Sequence, residues 1–130
     1  MSYMPPAKSD THLTPDRVYD LIEEYWGYKK DKMYDPCPEI HDWDGLTVPW
    51  EKINYVNPPY TLLKEFVAKA IYVANLHHYE TIMLLPAKTD QRWFHDLLAG
   101  HYKIHWIKGR LKFKNDKWSA TQPHFLVRVH

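Results

Sequence analysis

The chain has 130 residues, 45% apolar and 25% charged, with a net charge of +1; this predicts one globular domain with room for a real core and none for a second full domain. A single cysteine, Cys37, excludes an internal disulfide framework and predicts a reducing, cytoplasmic setting, and no apolar run approaches the roughly 20 residues that cross a bilayer. The small net charge hides an asymmetry: Asp10 to Glu51 carries eleven acidic residues against four basic ones, whereas His101 to His130 carries seven basic residues against Asp116 alone. A basic segment suits a polyanion, and it is equally consistent with a solvated face.

The opening "MSYMPPAKSD" has neither the basic start nor the apolar stretch of a signal peptide, and reads as a disordered lead over 1–10 before a domain over 11–130. Thr14 as N-cap and Pro15 at the first helical position predict a helix carrying Val18, Leu21, Ile22, Tyr25 and Trp26 up to Gly27. "KMYDPCP" reads as a short strand ending in a proline-bound loop, and "INYV" as the next strand. Thr61 is placed to cap a second helix with Leu63, Phe66, Val67, Ala70, Ile71 and Ala74 on its apolar face. The run Ile82 to Leu85, ended by Pro86, marks a strand buried on both faces. Thr89 is placed to cap a third helix bearing Trp93, Phe94, Leu97 and Leu98, closed by Gly100. "KIHWIKGRLKF" and "HFLVRVH" read as two final strands around a polar loop from Lys114 to Pro123. This order predicts an α/β domain whose ligand site lies beyond the C-terminal ends of its strands.

"NPPY", Asn57-Pro58-Pro59-Tyr60, falls at such an end. Proline has no N–H, so the pair presents carbonyl acceptors with fixed φ and no competing donors. Asn57 adds a side-chain carbonyl, and Tyr60 a flat face. Acceptors beside an aromatic plane match a planar ligand bearing an NH2 group, such as a nucleobase amine or a glutamine amide. Drawing hydrogen bonds from that nitrogen returns lone-pair density to it, which is catalysis by preorganised dipoles. A rigid connector explains the two prolines equally well.

In the same order along the chain, "LTPDRVYDLI", "DPCP", "DWDGL", "NPPY", "MLLPAKTDQRWFHD", "IKGRLKF" and "HFLVRV" resemble the motifs of phage-type DNA N-6-adenine methyltransferases, from about Thr11 to the end. The resemblance implies a single minimal Rossmann-like α/β domain, with a central mostly parallel sheet flanked by helices, using S-adenosyl-L-methionine and DNA. It implies catalytic roles for Asn57, Pro58, Pro59 and Tyr60: Asn57 and Pro58 accept from the target amine, and Tyr60 stacks on the flipped-out base. It implies cofactor contacts from Thr14, Pro15, Asp35, Pro36, Cys37, Asp44 and Asn57. Of these, Asp35 and Thr14 meet the methionine moiety and Asp44 the adenine, with Glu39 or Asp42 on the ribose. Lys88, Arg92, Arg110 and Lys112 are implied phosphate contacts. Trp93 and Phe94 are placed to line the cleft, at most one of them functionally. With no separate recognition segment, sequence preference falls to loops such as Lys114 to Pro123, or to a second subunit.

Other readings stay open at this stage. The same motif permits cytosine-N4, RNA or glutamine methylation. "DPCP" has no glycine where larger methyltransferases have a Gly-rich turn, which admits a non-catalytic nucleic-acid-binding module. The many aromatics also admit a self-assembling structural protein, and a homodimer is compatible with the enzyme. Nine histidines without a tight His/Cys/Asp cluster predict no metal site. Cys37, between two prolines, is expected to pack and not to attack.

Overall fold

Helix α1, Asp16–Trp26, buries Val18 and Ile22 on one stripe. It stops at Gly27, whose φ of 76° suits glycine and whose N–H closes on the Glu23 carbonyl. Its start is one residue later than expected. Pro15 is the N-cap, Asp16 opens the helix, and no side chain caps it, because the Thr14 hydroxyl is engaged by Tyr55 instead. The computed structural model describes residues 13–38, 41–114, 116 and 119–130. The expected lead over 1–10 and Glu39 lie outside the described residues.

Helix α2, Leu63–His77, follows a 3-10 turn, Tyr60–Leu62, and buries Leu63, Phe66, Val67, Ala70, Val73 and Ala74. Thr61 sits inside that turn and caps nothing. Ahead of the turn, β1 (Ile53–Val56) leads into the proline pair. Strand β2, Glu80–Pro86, is buried on both faces from Thr81 onward, as its apolar run predicts. Strands β3, Ile104–Trp106, and β4, His124–Val129, complete a sheet of order β1-β2-β4-β3.

The sheet corrects the expected mostly parallel arrangement. β1 and β2 are parallel, but β4 runs antiparallel to both β2 and β3. The chain returns from the loop after Lys114 and inserts its last strand between β2 and β3, where no crossover helix is available to reverse it. Consequently β1, β2 and β3 share one direction, and their C-terminal ends form one rim with the start of β4.

Alternating side chains then split the core in two. Val56, Met83, Leu85, Phe125 and Val127 pack with α2 and with Trp50 and Phe94. Tyr55, Ile82, Leu84 and Leu126 pack with α1 and with Ile107, Leu111 and Phe113. The sheet is therefore covered on both faces, α1 on one and α2 on the other.

Three expected elements are shorter. "KMYDPCP" starts at the end of a 3-10 turn, Lys30–Lys32, and makes a single parallel bridge, Tyr34 to Asn54, since Pro36 and Pro38 have no N–H for a ladder. The strand after Lys103 ends at Trp106, and Gly109 at φ 78° turns the chain so that Leu111 and Phe113 enter the core from a loop. The third helix is a π-helical turn, Phe94–Leu98, closed by the Ala99 N–H on the Phe94 carbonyl at 2.8 Å, with no side-chain cap from Thr89. No helix among the described residues is long and apolar enough to cross a membrane.

Candidate active site

The rim collects the chemistry. Asp35 follows the Tyr34 bridge, Asn57-Pro58-Pro59-Tyr60 follows β1, Lys88 follows β2, and His124 begins β4. Pro58 and Pro59 are buried, while Asn57 and Tyr60 keep partial exposure. A cavity of about 360 Å³ opens beside α1, lined by Thr14, Tyr19, Lys30, Asp35, Cys37 and Asn57 among others. That size lies within the range of small-molecule sites.

Thr14 organises one wall. Its hydroxyl lies 2.7 Å from the Tyr55 hydroxyl and accepts from the Asn57 Nδ2–H at 3.3 Å. It also bonds the Tyr19 phenol, which burial pushes up to about 12. Tyr55 is wholly buried between β1 and α1, so burial keeps its phenol neutral and the anchor fixed. With Nδ2 on Thr14, the Asn57 carbonyl oxygen occupies the other edge of the planar amide. Sequence reasoning missed Tyr55 and Tyr19, whose alternation and period mark them only as core.

Asp35 forms the opposite wall. Its Oδ1 accepts the Cys37 N–H at 2.8 Å, closing a turn through Pro36. Burial pushes its carboxyl up to about 6, against the smaller opposing effects of that N–H and of Lys30. Cys37 is buried beside it, and burial together with Asp35 and Asp44 pushes its thiol up to about 12. It is therefore a neutral thiol near pH 7 and a poor nucleophile, consistent with packing.

The loop has no glycine of its own, yet a glycine serves it. Gly45 lies so close that a Cβ there would meet the Pro36 carbonyl oxygen at 2.7 Å and the Phe66 ring at 3.2 Å. Trp43 Nε1–H donates to that same Pro36 carbonyl at 2.9 Å, and Trp50 Nε1–H donates to the Gly45 carbonyl at 2.8 Å. The segment after His41 thus backs the Asp35 loop through close backbone approach. Spacing along the sequence could not reveal this, because the contact is tertiary.

Tyr60 points the other way. It lines a second cavity of about 350 Å³ with Lys88, Gln91 and Trp93, and its hydroxyl lies 2.7 Å from His124 Nε2. The proline turn therefore separates two cavities, with Asn57 on one and Tyr60 on the other. Two cavities meeting at an acceptor turn suit the transfer of a group between two ligands.

The family described as DNA N-6-adenine-methyltransferase (Dam) matches residues 1–125. The chain belongs to that family. It is similar to a DNA N-6-adenine-methyltransferase of Haemophilus phage HP1 (strain HP1c1), 30% identical over 124 residues that cover 85% of this chain and 70% of the phage protein. No solved structure matches. As a Dam-family member the chain is a phage-like DNA methyltransferase specific for adenine N6.

Within this Dam-family fold the remaining expected residues are more scattered. Pro15 occupies the N-cap position of α1, next to Thr14. Asp44 is half-buried outside the first cavity, its Oδ1 accepting the Leu46 N–H at 3.0 Å. Asp42 is exposed. Phe94 is core, edge-on against Phe125, whereas Trp93 lines the second cavity. Arg92 and Lys112 are exposed, while the Arg110 guanidinium donates to the Thr121 carbonyl across the base of the Lys114–Pro123 loop. Lys30 was not foreseen, because a lysine beside a turn looks like any solvated charge.

Proposed function

We propose that this Dam-family enzyme methylates the N6 amine of an adenine flipped out of duplex DNA, with S-adenosyl-L-methionine as methyl source. The observation that carries the proposal is the Asn57 amide, held by Thr14 on the wall of a cavity that also contains Asp35 and Lys30. A half-buried carboxyl pushed up to about 6 is what an acid awaiting a cation looks like. Asp35 for an ammonium and Lys30 for a carboxylate fit the zwitterionic end of an amino acid, and so fit the methionine moiety. Thr14 and Cys37 wall that end, Pro15 and Pro36 hold the backbone beside them, and Asp44, outside that cavity, takes the adenine amino group through its second carboxylate oxygen.

When bound, S-adenosylmethionine supplies a methyl group on an electrophilic sulfonium, which passes in line to the amine without a covalent enzyme intermediate. Asn57 Oδ1 and the Pro58 carbonyl accept from the amine and pull it toward tetrahedral geometry. Pro58 and Pro59 bring no N–H to compete. An amide side chain takes no proton, so the surplus N6 proton leaves to water. Tyr60 stacks on the base in the second cavity, beside Trp93, and Lys88, Arg92 and Lys112 meet phosphates.

The common direction of β1, β2 and β3, with helices on both faces, supports reading the domain over 11–130 as a minimal Rossmann-like methyltransferase. A DNA substrate and an unpaired cysteine support a cytoplasmic location. The close approach of Gly45 to Pro36 supports a cofactor loop that functions without its own glycine, and so favours the enzyme over a non-catalytic binding module.

The test is incubation with labelled S-adenosylmethionine and duplex DNA, followed by nucleoside analysis. N6-methyladenine is the expected product, and Asn57→Ala abolishes turnover while calorimetry still shows cofactor binding. Full activity in Asn57→Ala, or no heat of cofactor binding to the native chain, would sink the proposal.

A further inference from the structure

We propose that His124 is a positioning residue for the reaction, acting through Tyr60; the inference rests on the reading above that Tyr60 stacks on the target base. His124 and Tyr60 are 64 residues apart, and their side chains meet at 2.7 Å. Tyr60 is the first residue after the proline pair, in a three-residue 3-10 turn whose backbone is closed by the Leu62 N–H on the Pro59 carbonyl. That bond fixes the backbone, and the ring lies half-buried against the core on the α2 side, with its face toward the second cavity.

His124 is fixed on every side. It is wholly buried, and it pairs with Pro86 at the end of β2. Its carbonyl accepts the Ile107 N–H at 3.1 Å just beyond β3, and the Phe113 ring packs edge-on against its imidazole at 5.3 Å. The hydrogen bond therefore ties the Tyr60 phenol to the start of β4, an inner strand of the sheet. A ring locked by such a support stacks on a base without losing rotamer freedom at the moment of binding.

The support also reaches the Lys114–Pro123 loop. Phe113 precedes it, His124 follows it, and the two rings touch at its base. Whatever seats against that loop bears on the residue that orients Tyr60. The first cavity includes neither Tyr60 nor His124 among its walls, so cofactor binding is independent of the pair.

Side-chain geometry supplies the test. Glutamine carries its terminal amide near the Nε2 position of histidine, whereas the amide of asparagine matches Nδ1 and stops short of Tyr60. In full-length protein, His124→Gln should stay within about threefold of the wild-type kcat, and His124→Asn should lose about tenfold, the worth of one buried hydrogen bond. Both should keep the wild-type affinity for S-adenosylmethionine. In a Tyr60→Phe background the Gln and Asn variants should be indistinguishable, because the bond is already absent.

Fluorescence of a duplex carrying 2-aminopurine at the target position should report reduced base extrusion in His124→Asn alone of the two. Should His124→Asn fail to fold, Tyr60→Phe against wild type reads the same bond, with about a tenfold loss in kcat expected. Equal rates for the Gln and Asn variants in the Tyr60 background, or an undiminished Tyr60→Phe, overturn the positioning role. A native chain that methylates no adenine overturns the functional reading instead, so the two failures are distinct.

Discussion

Asn57 and Thr14 lie 43 residues apart and meet at 3.3 Å, with the amide donating to the hydroxyl. The relationship links the residue before α1 to the residue after β1, and it converts an expected helix cap into a support for the acceptor turn. Thr14→Val keeps the shape and removes the hydroxyl. It leaves the buried Tyr55 phenol without its 2.7 Å partner, which costs about 1–3 kcal/mol of stability. It also frees the Asn57 amide to turn over. The expected outcome is a lower melting temperature and about a tenfold loss in kcat, with Thr14→Ser recovering most of both. Denaturation and steady-state kinetics on the two variants check it.

Asp35 gives the site a pH dependence. Its folded carboxyl titrates at about 6, above the 3.8 of an ordinary aspartate, chiefly through burial. Between those values the folded state binds more protons than the unfolded one, so the stability of the cofactor-free protein falls as pH rises through the window and levels off above it. Partial exposure holds the drop to on the order of 1–2 kcal/mol. Asp35→Asn abolishes the drop. Cofactor affinity runs the opposite way, rising from pH 5 to 7 as the carboxylate forms, and Asp35→Asn binds at least about tenfold more weakly with no such rise. Chemical denaturation and calorimetric titration across that range test both slopes.

Gly45 tests the proposed cofactor loop from its far side. Any side chain there meets backbone, the Pro36 carbonyl oxygen at 2.7 Å, before it meets the flexible edge of Phe66. Gly45→Ala must therefore displace the Asp35–Pro38 turn or the strap carrying Trp43. We expect about 1–3 kcal/mol of destabilisation and weaker S-adenosylmethionine binding. A variant with wild-type melting and wild-type cofactor affinity would show that the close approach does not shape the site.

Much of this was legible in the sequence where periodicity or local chemistry decides. The stripe of α1, its stop at Gly27, the apolar face of α2 and the double burial of β2 all follow from short-range pattern. The place of the Asn57–Tyr60 turn after β1 was legible because a strand run and two prolines are local signals. Expectations failed where a distant partner outbid a local one. Thr14 was lost as a cap to Tyr55, 41 residues away. "KMYDPCP" was reduced to one bridge by its prolines. The direction of β4 depends on where the chain returns, which no local pattern records. His124, Tyr55 and Gly45 were illegible for the same reason: each matters only through contacts that folding creates.

The basic residues separate on the same principle, and DNA binding can show it. Lys88 lines the cavity beside Tyr60, and the proposed function makes it a phosphate contact. Arg110 instead spends its guanidinium on the Thr121 carbonyl and so shapes the Lys114–Pro123 loop. A direct phosphate contact releases counterions, and removing it lowers the slope of log K against log salt by about 1. Lys88→Ala should therefore weaken DNA binding uniformly across sequences and flatten the salt dependence by about that amount. Arg110→Ala should relax sequence preference through the loop while leaving the slope nearly unchanged. Binding titrations from about 50 to 200 mM salt, on target and non-target duplexes, distinguish the two; a unit change in slope for Arg110→Ala would make it a phosphate contact after all.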